Sequence, residues 1–123
     1  MRRGLLLAML TTVSAVAHHN YGEYDRDAPV ALEGTVKSVQ WGNPHVLLTL
    51  QTENKGEYTV EWGAVFQLSR QGIYAPPVQA GDHVIVTGSV NRNPEKHIIT
   101  LVREISRPAD GWHWADSRYA IKR

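Results

Sequence analysis

The stretch Leu32-Glu33-Gly34-Thr35-Val36-Lys37-Ser38-Val39-Gln40-Trp41-Gly42-Asn43-Pro44-His45 decides the fold. Apolar and polar residues alternate along it with period two, as a half-buried strand requires. Leu32, Gly34 and Val36 share one face, whereas Val39 and Trp41 sit on the opposite parity. The register must slip near Lys37-Ser38, which predicts a β-bulge there. Gly42-Asn43-Pro44 then breaks the strand.

Downstream, residues 46–51 read as a second strand, with Val46, Leu48 and Leu50 on one side. Asn54-Lys55-Gly56 supplies a turn, with glycine available for a left-handed backbone. Tyr58, Val60 and Trp62 alternate with Thr59 and Glu61 in a third strand. The period then changes. Residues 64–71 form a short helix with Val65 and Leu68 inward, and Gly72 stops it. A connector carrying Pro76 and Pro77 leads to the Gly81-Asp82 turn. Residues 84–90 and 97–105 give a fourth and a fifth strand. The order β-β-β-α-β-β predicts an all-β domain with one short helix, a small five-stranded OB-fold-like Greek-key barrel. Gly34 and Gly88 fit it, because strongly coiled strands need bends.

At the other end of the chain, Arg2 and Arg3 precede an apolar stretch that closes with Ala15-Val16-Ala17, the three-part build of a secretory signal peptide. The stretch is too short to span a bilayer. The expected organisation is a leader over 1–17, an N-terminal segment over 18–29, the barrel over 30–106 and a tail over 107–123. The tail carries Trp112-His113-Trp114, which should dock back, since an exposed Trp pair invites aggregation. The expected location is the periplasm or the exterior.

Hydrophobic residues make up 42% of the 123-residue chain and charged residues 20%, a globular balance for a single domain. Loss of Arg2 and Arg3 with the leader leaves eleven basic against twelve acidic side chains, so the charge moves from +1 to −1. That weak charge disfavours nucleic acid as a partner. With no cysteine, disulfides, a lipidated N-terminal Cys and Cys-ligated zinc are excluded. There is no Gly-rich phosphate loop and no serine elbow.

Three features taken together, Ala17-His18-His19, the run from Leu32 to Trp41-x-Asn43-Pro44-His45, and Gly81-Asp82-x-Val84-x-Val86-x-Gly88, resemble a family of secreted bacterial proteins of unknown function. Members start near Ala-His-His and carry a Trp-x-Asn-Pro-His turn. The resemblance covers residues 18 to about 105. Glu61 looks like the counterpart of a glutamate that commonly follows the third strand's aromatic position in that family, while Asn20 stands where a serine is often found. The resemblance implies a secreted β-domain and no particular activity.

Two functional expectations follow. The first is a non-enzymatic binding module that takes a small ligand, a glycan or an envelope protein through the barrel face at Trp41, Asn43, His45, Glu61 and Trp62. The second is a copper-binding protein using His18, His19 and His45, with a copper-dependent redox enzyme as its extension. Cleavage after Ala17 would free the α-amine of His18, which chelates together with its own Nδ1. A second imidazole then completes a three-nitrogen set suited to Cu(II). His45 is the favoured partner, because Asn43-Pro44 is a rigid turn that can aim it, with Glu61 as a nearby carboxylate. Cleavage one residue earlier would instead put His19 third, a geometry that wraps Cu(II) or Ni(II) through amides.

Overall fold

The structure, a computed structural model, describes residues 21–119. It contains six strands and one α-helix. They are β1 (Val30–Gln40), β2 (Leu47–Thr52), β3 (Glu57–Glu61), α1 (Val65–Arg70), β4 (His83–Val90), β5 (Ile98–Arg107) and β6 (Trp112–Ala115). Neighbours run β3-β2-β1-β4-β5-β6, and a further β3–β5 pairing closes the first five into a barrel. All pairs are antiparallel except β3–β5, which is parallel at Thr59↔Ile98 and Val60↔Ile99. This is the expected five-stranded barrel with one short helix.

Barrel closure depends on β1. This 11-residue strand serves two neighbours: its first half pairs with β4 and its second half with β2. Gly34 sits where the two overlap, opposite Thr52 on one side and Val84 on the other. A Cβ there would overlap the Gln51 carbonyl oxygen, so only glycine lets β2 cross this closely. The bulge falls where the parity demanded it, between Val36 and Ser38. Gly88 marks a second register shift, between β4 and β5, and its Cβ would come within 2.8 Å of the Thr100 carbonyl oxygen. The interior is filled by the inward parity of each strand: Leu32 and Val36, Leu48 and Leu50, Val60, Val84 and Val86, Ile99 and Ile105.

A six-residue helix cannot hold itself together, and α1 is fixed from outside. Leu68 is buried in the barrel core. Gln67 Oε1 accepts a hydrogen bond from the Ala64 N–H at 3.0 Å, and Asn43 Oδ1 accepts one from the Val65 N–H at 3.1 Å. Asn43 thus satisfies an N-terminal amide of a helix lying 22 residues downstream.

The segment expected as a tail with a Trp pair that docks back holds β6. Gly111 turns the chain at φ +75°, and β6 then pairs with β5 from Arg107↔Trp112 to Glu104↔Ala115. Trp114 is buried against Trp62, edge to face with ring centroids 5.1 Å apart. Its indole N–H donates to Gln71 Oε1 at 3.0 Å. Arg107 clasps the same turn, donating to Asp110 and also to Asp82 and the Pro77 carbonyl, so β5, β6 and the connector before β4 are tied at one side chain. No helix among the described residues is long and apolar enough to cross a membrane.

Candidate functional site

Beside α1 lies an open cavity of about 590 Å³, within the size range of small-molecule sites. His45, Glu61 and Trp62 form one part of its wall. They are brought together by backbone pairing: the Val46 N–H donates to the Gly63 carbonyl and the Trp62 N–H to the Val46 carbonyl. His45 Nδ1 lies 3.0 Å from the Trp62 carbonyl oxygen. A carbonyl only accepts, so Nδ1 carries a proton, and in the neutral tautomer it is Nε2 that bears the lone pair. Such an arrangement fixes the ring and prepares Nε2 as an acceptor or ligand atom.

Two of the five residues expected at the binding face stand elsewhere. Trp41 packs, half-buried, on the core's edge, and Asn43 caps α1; neither lines the cavity. Their contribution to the site is indirect, because α1 and the residue after it add Gln67, Leu68, Arg70 and Gln71 to the wall. His18 and His19 lie outside the described residues. Tyr21, however, lines the same cavity as His45 and Glu61. Among the described residues no three His, Asp or Glu side chains gather as a metal-ligand set.

Several wall residues had no mark in the local sequence. Trp114 closes one side, and Asp116, Arg118 and Tyr119 follow it. Arg26 and Arg70 approach from the N-terminal segment and α1. Only the Trp112-His113-Trp114 alternation behind Asp110-Gly111, a hairpin signal, could have announced this wall.

Leu101 lies in the wall with φ +49°, in the left-handed region that non-glycine residues avoid. Strain of this kind collects at functional sites when the surrounding structure imposes it. Leu101→Val should therefore be less stable than Leu101→Gly by about 1 kcal/mol, although valine is closer to leucine in size. Urea unfolding of the two variants measures this, and the reverse order would remove the strain.

Asp116 is the buried acid of the wall. Burial pushes its pKa up, but the hydrogen bonds and charge of Arg118 outweigh that, and it titrates below its ordinary 3.8. The Arg118 guanidinium forks onto both carboxylate oxygens, the shortest contact being 2.6 Å. A folded pKa below the unfolded one gives stability that is complete above the unfolded value and lost as pH falls through the folded value. The stability advantage of wild type over Asp116→Asn should thus hold at pH 7 and shrink below about pH 4. Urea midpoints across that range are the check; a gap independent of pH would assign the effect to packing.

Fold and site together define a small closed Greek-key barrel with an open cavity beside α1. Residues 6–100 match a protein family, DUF6152, described as a family of unknown function, and the chain belongs to it. Comparison with curated proteins and with solved structures found no match.

Proposed function

We propose that the protein is an exported, non-enzymatic binding module, and that its ligand occupies the cavity beside α1 with His45, Glu61 and Trp62 in the wall. The observation that carries this reading is the composition of that wall. Buried Trp62 and Trp114 offer apolar surface, while His45, Glu61 and the arginines supply a few convergent polar groups, the mixture found in ligand sites. The strained Leu101 supports it. Ligand that binds only the folded state raises the melting midpoint. Sodium benzoate, glucose and benzylamine, as probes of three chemical classes, should be added in turn to processed protein. At least one is expected to raise the midpoint, equally with and without an alanine added before His18. No stabilisation by any of the three would contradict the reading.

A second reading, copper binding, is favoured by one observation. Tyr21 lines the cavity together with His45 and Glu61, and His18 precedes Tyr21 by three residues. Three extended residues reach about 10 Å, and this reading requires that reach to bring the freed amine and imidazole of His18 to His45 Nε2. Amine, His18 Nδ1 and His45 Nε2 would hold Cu(II), with Glu61 as a further carboxylate. His19 is the ligand if cleavage falls one residue earlier. Calorimetry of Cu(II) binding should then show one tight equivalent, lost when alanine precedes His18 and weakened in His45→Ala. Weak or multiple binding indifferent to both changes would contradict it.

A further inference from the structure

The cavity is chemically two-sided, and its sides are ordered from inside to outside. The buried part of the wall is mostly apolar: Trp62, Leu68, Val102 and Trp114 are each less than a tenth exposed, with Thr100 and the Arg118-paired Asp116 as its polar members. The rim is cationic. Arg26, Arg70 and Arg118 all line the cavity and are all exposed. Arg118 is neutralised by Asp116. Arg26 and Arg70 have no carboxylate partner among the described residues; each lies near an aromatic ring instead, Tyr21 at 5.9 Å and Phe66 at 5.8 Å. Tyr119, also in the wall, has the guanidinia of Arg103 and Arg118 at 4.6 and 5.7 Å from its ring centre. A guanidinium without a carboxylate among the described residues, at the rim of an open cavity, offers a fork suited to an oxyanion.

We propose that the ligand of this cavity is a small amphiphilic carboxylate, with its apolar body against Trp62, Leu68 and Trp114 and its acid group on the rim arginines Arg70 and Arg26. The inference rests on the cavity being the ligand site and adds the ligand's chemical class. The two halves of the wall act on two halves of the molecule. Area removed from water on the tryptophans gives affinity without charge. The guanidinia select the anion over a neutral body of the same shape, an effect that salt weakens because the rim is exposed. A bare anion gains little, since it leaves the inner wall unfilled.

Calorimetric titration with three probes separates these terms: sodium benzoate has body and charge, benzyl alcohol has the body alone, and sodium acetate has the charge alone. Benzoate is expected to bind about tenfold more tightly than either. Arg70→Gln should weaken benzoate about fivefold and leave benzyl alcohol unchanged. Arg70 is exposed at the end of α1, so the variant should fold, which its melting midpoint verifies. Arg70→Lys, which keeps the charge but loses the fork, should fall between the two. Benzyl alcohol binding as tightly as benzoate, or benzoate binding indifferent to Arg70→Gln, would overturn the carboxylate assignment while the cavity reading stands. No binding by benzoate or benzyl alcohol would overturn the assignment, while stabilisation by glucose or benzylamine that shifts the Trp62 and Trp114 signals would leave the cavity reading standing.

Discussion

Gly34→Ala is expected to cost about 3 kcal/mol or more, enough to unfold a domain of this size in part or whole. The added Cβ would overlap the Gln51 carbonyl oxygen and lie 2.8 Å from its carbon. These are backbone atoms, so no rotamer change relieves the overlap. Nor can β1 step aside, because Gly34 is paired with β2 on one edge and β4 on the other. Gly42→Ala is the matched control. A Cβ at Gly42 meets nothing within 4 Å, and its change should stay within about 0.5 kcal/mol. Urea unfolding of both variants gives the comparison. Equal stability would mean that β1 does not cross β2 as closely as described.

Trp114→Ala is expected to cost about 3 to 5 kcal/mol, the range for truncating a buried large aromatic. Trp114 is 7% exposed. Its removal takes away the edge-to-face packing on Trp62 and leaves Gln71 Oε1 without its indole donor. Trp114→Phe retains much of the ring packing and loses the hydrogen bond, so it should cost about 1 to 2 kcal/mol. A loss below about 1 kcal/mol for the alanine variant would show that β6 merely rests on the barrel. The stated loss makes it part of the folding unit, although its sequence lies beyond the matched 6–100.

The barrel was legible because its constraints are local. Parity along residues 32–41 requires a slip, and the bulge is there. Gly56, expected as a left-handed turn, has φ +76°. Gly34 and Gly88 in strands announced close crossings, and both make them. Strand ends shifted by one or two residues, since pairing partners rather than propensity set them. The site was legible only in part. His45, Glu61 and Trp62 could be grouped because two of them are adjacent in sequence and the third follows a turn. Trp41 and Asn43 were grouped with them by proximity along the chain, but parity turns Trp41 onto the core's edge and Asn43 serves α1. The arginine rim was not legible at all. Arg26, Arg70 and Arg118 are far apart in sequence, and only barrel closure brings them to one cavity. Nothing near Leu101 marks its positive φ, which arises where β5 leaves β3 to pair with β4 and β6.

The four tryptophans provide the most direct test of the cavity as the ligand site. Trp62 and Trp114 line it, whereas Trp41 and Trp112 do not. In a ¹⁵N-labelled sample, sodium benzoate should shift the indole N–H signals of Trp62 and Trp114 together along one saturating curve and leave those of Trp41 and Trp112 in place. Shifts at Trp41 or Trp112 with Trp62 and Trp114 unmoved would contradict the account and put the ligand elsewhere on the barrel.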